Sequence, residues 1–264
     1  MGAQGRGEEK TMKMSAREEI TYNILLMILE GKAPLVSEGG GWLLAQSNPR
    51  TPAWLYLTCE PGVAAQKAIC EALEARLAEN PELRVTADPR FARKTLEALA
   101  VQTGRALRET MPMIAYACMR VSGVPSSGRI RRPTPADRGA LAELIRQMAA
   151  DAEGQTLSDG EAAGFADAMA NSDRLCLWDD GGVRAMALIA HRTERYARLN
   201  TVVTDRAQRG KGYCGMLMAA LSEELLSQGV TPMLYADARN PASNGAYRRV
   251  GFEEAGRATE YALG

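Results

Sequence analysis

The chain has 264 residues, 46% of them hydrophobic and 24% charged, enough for one large domain or two ordinary ones with a substantial core. Lysine plus arginine number 32, as do aspartate plus glutamate, so no net field draws the molecule to nucleic acid or an anionic membrane, and any basic site is local. The five cysteines lie far apart with no Cys-x-x-Cys pair and His191 is the only histidine, which argues against a zinc site or a triad needing a second histidine and predicts reduced packing thiols.

Met1 to Lys10 is Gly-rich and charged without an apolar centre, and residues 1–14 are expected to be disordered. No later apolar run approaches the length of a membrane span, so the expectation is a cytoplasmic chain that engages neither membrane nor nucleic acid. Ile20, Ile24, Met27 and Ile28 recur at helical spacing between Ala16 and Leu29, and Gly31 closes the run. Trp42 to Ala45 and Trp54 to Leu57 flank a turn-rich Gln46–Arg50 and predict a hairpin. A helix over Val63–Leu77, a short strand over Leu83–Thr86, a helix over Phe91–Leu107 and a strand over Met113–Val121 complete an α/β order. The Gly-, Pro- and Ser-rich run Ser122–Gly128 then marks a domain boundary, giving a lobe over residues 1–126 and a second over 127–264.

The second half opens with a strand at Arg129–Arg132, followed by Thr134 as N-cap and Pro135 at the first helical position. Leu141, Leu144, Ile145 and Met148 keep one helical face apolar, and a second helix follows near Glu161–Met169. Leu175–Trp178 and Val183–Ala190 flank Asp179-Asp180-Gly181-Gly182 as a hairpin. A strand at Leu199–Thr204, a helix from Met216 to Leu226, a strand at Met233–Ala236, a helix near Ser243–Val250 and a closing strand at Thr259–Leu263 end the chain.

Between the Leu199–Thr204 strand and its helix lies Arg209-Gly210-Lys211-Gly212-Tyr213-Cys214-Gly215. A glycine-rich strand-to-helix turn leaves backbone N–H groups without intrahelical partners at the positive end of the helix dipole, which suits a phosphate or pyrophosphate. Solubility and turn geometry also collect Gly and Lys in surface loops, so the turn gains meaning from its neighbours. The lysine is not followed by Ser or Thr, unlike a P-loop.

With those neighbours, the second half resembles the GCN5-related N-acetyltransferase (GNAT) superfamily. The family's loop reads Arg or Gln, two residues, Gly, one residue, then Gly or Ala, matched by Arg209, Gly212 and Cys214. Upstream, Val202, Val203 and Thr204 fall where the family's splayed strand pairs with the pantetheine arm, and downstream Asn240, Tyr247 and Gly251-Phe252 match its Asn, its Tyr and its Gly-Phe. The resemblance implies a mixed-sheet α/β acyl-CoA N-acyltransferase fold for the second lobe. The element order of the first lobe is similar to the amino-terminal lobe of two-lobed members, a degenerate copy with no cofactor motif.

The resemblance implies acetyl-CoA as co-substrate, no metal, and direct attack of a primary amine on the thioester. Cofactor contacts are then expected from Val202, Val203, Thr204, Arg209, Gly210, Lys211, Gly212, Tyr213, Cys214 and Asn240, with Tyr247 at the leaving thiolate. A phenol is a weaker acid than a thiol, so hydrogen bonding rather than full proton transfer suits Tyr247. Members that modify protein N-termini carry a catalytic Glu five residues before the Asn, and here that place is Tyr235, so no base transfers from them; Glu194, Asp237, Glu260, His191 and a water chain all stay open. Cys214 as an acyl-carrying nucleophile is the weaker alternative to an inert small residue. Trp42, Trp54 and Tyr56 are either hairpin core or cleft lining. The acceptor is a small molecule or peptide amine, a homodimer is compatible with the reading, and a regulatory acyl-CoA-binding module without turnover is the alternative function.

Overall fold

The computed structural model describes residues 13–125 and 127–264. The disorder expected over 1–14 falls outside these except at Lys13 and Met14, and Met14 packs against the aromatic cluster of Tyr22, Trp54 and Tyr56. The first helical run is not continuous: α1 (Ala16–Thr21), with Ser15 and Glu18 in a capping box, gives way at Tyr22 to α2 (Asn23–Leu29). The break has a packing reason. Tyr22 meets Trp54 and Tyr56 edge-on, with ring centroids 6.3 and 4.9 Å apart. All three hairpin aromatics, Trp42, Trp54 and Tyr56, are buried core.

Gly40-Gly41 joins β1 (Leu35–Gly39) to β2 (Trp42–Gln46), which pairs antiparallel with β3 (Ala53–Leu57). α3 (Val63–Glu79) then crosses over to β4 (Arg84–Ala87), parallel to β3, and α4 (Pro89–Thr103) leads to β5 (Leu107–Cys118). The second half contributes β6 (Arg129–Arg131), α5 (Arg138–Glu153), α6 (Asp159–Ala170), β7 (Leu175–Asp179), β8 (Val183–Arg192) and β9 (Tyr196–Thr204). It ends with α7 (Tyr213–Ser227), β10 (Thr231–Asp237), α8 (Pro241–Val250) and β11 (Phe252–Leu263).

The described strands form one mixed sheet ordered β1-β2-β3-β4-β11-β5-β10-β9-β8-β7-β6. Each half repeats three strands, a helix, a strand, a helix and a strand, and the two final strands are exchanged. β11 lies beside β4 of the first half, and β5 lies beside β10 of the second. Alternation along β5 separates the layers: Ile114, Tyr116 and Cys118 enter the core under α7 and α8, while Met113, Ala115 and Ala117 pack toward α1 and α2. Along β8, Ala185, Ala187 and Ile189 join the α7–α8 core, whereas Met186 faces α5 and α6. The bulge between Glu254 and Gly256 of β11 lets α1 approach closely, since a Cβ at Gly256 would lie 2.2 Å from Thr21 Oγ1. No described helix is long and apolar enough to cross a membrane.

Entry into α5 is held electrostatically. A 3-10 turn, Pro135–Asp137, places the Asp137 carboxylate to accept from the Thr134 N–H at 2.7 Å and from Arg131 Nη1 and Nη2, both at 2.7 Å. The Arg131 guanidinium and the Thr134 donors hold Asp137 down at about 2. A depressed carboxyl contributes stability above its unfolded pKa and loses it as pH falls through the folded one. Asp137→Asn should therefore destabilise the protein by on the order of 2 kcal/mol at pH 6. In denaturant titrations that difference from the parent should shrink between about pH 4 and pH 2; a difference constant across this window would contradict the assignment.

Candidate functional site

β9 and β10 run parallel and stay paired only from Tyr196 opposite Thr231 to Leu199 opposite Leu234. Beyond that, β10 continues to Asp237 against β5, and β9 continues to Thr204 against β8. Their facing edges part into a wedge. Thr201 is the cause: at φ +52° it is the only described non-glycine residue with positive φ, and the β8 register slips there, from Met186 opposite Val203 to Leu188 opposite Asn200. A β-branched residue in the left-handed region costs about 1–3 kcal/mol. In return the β9 edge from Asn200 to Thr204, including the expected Val202, Val203 and Thr204, has no ladder partner on the β10 side among the described residues.

The glycine turn lies at the mouth of this wedge. Gly210 and Gly212 take φ of +80° and +84°, and Gly212 is the N-cap of α7. Among the described residues no acceptor faces the backbone N–H groups from Gly210 through Gly215, and the first capped donor is Met216 N–H, bonded to the Gly212 carbonyl at 3.0 Å. Unpaired donors at the start of a fifteen-residue helix make an anion cradle. The long side chains hold the loop instead of projecting from it. Arg209 donates to Asp151 Oδ2 at 2.5 Å and to the Thr204 carbonyl at 3.2 Å, Arg206 also donates to Asp151, and Lys211 reaches Gln208 at 2.8 Å. Tyr213 donates its hydroxyl to Asp180 at 3.0 Å, tying the helix start to the β7–β8 turn. Asp151 carries no local sequence signal; it meets the loop only through the fold.

Tyr247 projects from α8 into the core, 7% exposed, with ring centroids 6.3 Å from Tyr116 and 6.0 Å from Phe252. Its hydroxyl has no hydrogen-bond partner among the described residues, and burial followed by the nearby Cys214 raises its pKa well above the ordinary phenol value. It is a fixed neutral donor. Burial pushes the Cys214 thiol up to about 11, which keeps it protonated and speaks against a nucleophile. Asn240 caps α8, its Oδ1 accepting from Ser243 N–H at 3.1 Å while its Nδ2 bonds to no described residue. Asn244 fastens the corner behind it, donating to the carbonyls of Asp237 and Asn240 at 2.9 and 2.7 Å.

Of the base candidates, Glu260 lies on β11, bonded to Arg84 at 3.2 Å and Thr110 at 2.9 Å, and so sits on the part of the sheet paired with the first-half strands β4 and β5. Glu194 sits in the β8–β9 turn, at the other end of β9 from Thr204. Asp237 is clamped by Arg239, at 3.0 and 2.9 Å, which holds its carboxyl below the usual range. Burial and then Arg198 lower His191, which is therefore neutral near pH 7. Tyr235 donates its hydroxyl to the carbonyls of Ile20 and Thr21 at 3.1 and 3.0 Å and so anchors α1. A separate cleft of about 470 Å³, lined by residues such as Arg17, Tyr22, Asp88 and Arg257, opens beside α1 and the ends of β3 and β4. It holds none of the residues around the wedge.

Asp151 is the latch of the loop, so Asp151→Asn should release Arg206 and Arg209 together. Trypsin should then cut at Arg206, Arg209 or Lys211 roughly threefold to tenfold faster under native conditions. Cleavage as slow as in the parent would mean that the loop is held by something else.

Residues 179–262 match the family model described as FR47-like protein. No curated protein matches the sequence. Among solved structures, the chain is similar to a GCN5-related N-acetyltransferase from Kribbella flavida, with 17% identity, TM-score 0.61, and coverage of 95% of this chain and 96% of that one. It is also similar to an acetyltransferase of the GNAT family from Colwellia psychrerythraea, with 13% identity, TM-score 0.57, and coverage of 96% and 99%. A GCN5-related N-acetyltransferase from Sphaerobacter thermophilus gives 16% identity, TM-score 0.56, and coverage of 91% and 84%. The chain therefore has the fold of these GCN5-related N-acetyltransferases, and its FR47-like segment lies in the second half.

Proposed function

We propose that the chain is an acetyl-CoA-dependent N-acetyltransferase acting on a primary amine of a small-molecule or peptide acceptor. The observation that carries this reading is the wedge between β9 and β10 with an unpaired strand edge on one side and an anion cradle at its mouth. An extended arm bearing amides fits such an edge as an added strand, with Val202, Val203 and Thr204 supplying its partners. The N–H groups of Gly210 to Gly215 hold the pyrophosphate, and the free Nδ2 of Asn240 reaches a carbonyl of the arm. When bound, acetyl-CoA supplies an activated acyl thioester.

The protein's own work is then alignment and charge stabilisation. Tyr247, neutral and fixed by Tyr116 and Phe252, donates a hydrogen bond to sulfur as negative charge develops there. Its raised pKa makes outright proton transfer to a thiolate more uphill, so the phenol keeps its proton. With Glu194, Asp237 and Glu260 engaged or distant, the amine enters unprotonated and its proton leaves to water where Asn200 is exposed. The first lobe has the same strand–helix–strand order at β3, α3 and β4, but its turn, Thr58-Cys59-Glu60-Pro61-Gly62, contains a proline without an N–H and no pair of glycines. One observation favours the alternative of an acyl-CoA-binding module without turnover: the hydroxyl of Tyr235 is spent on α1, where members that modify protein N-termini carry a carboxylate.

A thiol-release assay with acetyl-CoA and an amine panel separates the two. Transfer predicts release, whereas tight CoA binding with no release on any amine would support the module. Tyr247→Phe should lower kcat by about 10- to 100-fold while CoA affinity changes little; unchanged kcat would remove the role. The profile of kcat/KM should rise with pH toward the pKa of the amine itself. A plateau already reached near pH 6 would instead assign the proton to His191, whose burial places its titration below the ordinary histidine value.

A further inference from the structure

Arg198 is a half-buried cation with no anionic partner among the described residues. It precedes Leu199, the last β9 residue paired with β10, and its neighbours Ala197 and Leu199 fill the α7–α8 core. Alternation therefore sends Arg198 and Asn200 to the opposite face, the face of α1 and α2. Among the described residues its only hydrogen-bond partner is the thioether of Met27, 3.5 Å from Nη2. Nη1 is sealed from solvent and has none. Burial lowers the pKa of the guanidinium, opposed by Tyr235 alone and by no carboxylate.

Arg76 shows what a structural buried arginine looks like in this fold. Its Nη1 and Nη2 donate to Gln46 Oε1, the Leu35 carbonyl, Ser37 Oγ and the Leu44 carbonyl at 3.4, 3.2, 3.3 and 3.5 Å. Arg198 has no such set. A guanidinium partly withdrawn from water, with one sealed donor left unpaired, is unfavourable until a ligand completes it.

A second unfilled group stands beside it. His191 is the register partner of Arg198 across β8 and β9, and its Nδ1 is likewise sealed and unpartnered. Its Nε2 lies 3.9 Å from Glu30, a side chain 63% exposed, and Arg174 also acts on the imidazole. Two guanidiniums and an imidazole thus face a single solvated carboxylate. The patch is bounded by α2 through Met27 and Glu30, and by Tyr235 of β10. Asn200, two residues further along β9 at the start of the wedge, is exposed.

We propose that Arg198, with His191, receives a carboxylate carried by the acceptor, so that the acceptor is an amine of amino-acid type. This rests on the acyl-transfer reading of the wedge and deepens it. Arg198 and Asn200 are two residues apart on β9, about 7 Å, so a carboxylate on the guanidinium leaves the amine of a small amino acid at the wedge. The planar guanidinium matches a carboxylate with two parallel hydrogen bonds.

The test uses matched pairs, L-phenylalanine with phenethylamine and L-lysine with cadaverine, in the thiol-release assay and in calorimetry with CoA present. The parent should favour the amino acid of a pair by about 10- to 100-fold, and Arg198→Met should abolish the preference. Met keeps the length and removes an uncompensated charge, so the melting temperature of the variant should equal or exceed that of the parent. Equal use of both members of each pair, a preference that survives in Arg198→Met, or no binding of either amino acid overturns the proposal. Amino-acid binding that disappears in Arg198→Met without thiol release from any amine upholds the carboxylate site and defeats acyl transfer. A lowered melting temperature in Arg198→Met, with amino-acid binding intact in that variant, would show that Arg198 is structural.

Discussion

Two parallel strands that begin paired and then part are the constraint on which the site depends. Leu199 and Leu234 are the last pair, and Thr201, held at positive φ, turns the rest of β9 away. Hydrogen-bonding groups on a sheet edge inside a protein are unstable unless something satisfies them, so a strained residue here stores an opening for an extended ligand. The glycine turn follows from the same geometry. Once β9 diverges, the chain must return across the sheet into α7, and Gly210 and Gly212 at positive φ expose successive N–H groups at the mouth. Tyr247 reaches toward this region only because α8 packs on β11 and β5 through Phe252 and Tyr116.

The first lobe contributes more than a neighbouring mass. β5 lies between β11 and β10, so the sheet that carries the wedge is built partly from first-half residues, Met113 to Ala117 opposite Asp237 to Met233. α1 and α2 cover the centre of the other face, anchored by Tyr235 and by the Tyr22, Trp54 and Tyr56 cluster. That covering is what seals Nη1 of Arg198 and Nδ1 of His191 and gives the wedge a chemically distinct second side.

Much of this was legible in the chain, and what was not has a common cause. Helical and strand periodicities placed nearly every element, because amphipathic patterns and turn residues are local. Thr134-Pro135, Gly40-Gly41 and Gly181-Gly182 mark turns whose backbone needs are met within a few residues. The spacing from Asn240 to Tyr247 is also local, since one helix carries both. The break at Tyr22 was missed because an aromatic cluster formed with Trp54 and Tyr56 decides it. Strand exchange, the slip at Thr201, the Asp151 latch and the unpartnered state of Arg198 are relations between distant segments. Nothing in a window of sequence encodes the absence of a carboxylate near Arg198; only the packed molecule shows it.

The central claim is that the open β9 edge and the glycine turn form one continuous acyl-CoA seat. Backbone amide hydrogen exchange, with and without saturating CoA, tests it most directly. The account predicts that CoA slows exchange together at Val202 to Thr204 and at Gly210 to Gly215, leaving Thr58 to Gly62 of the first lobe unchanged. Protection confined to the cleft beside α1, or no change along β9 despite bound CoA, would contradict it.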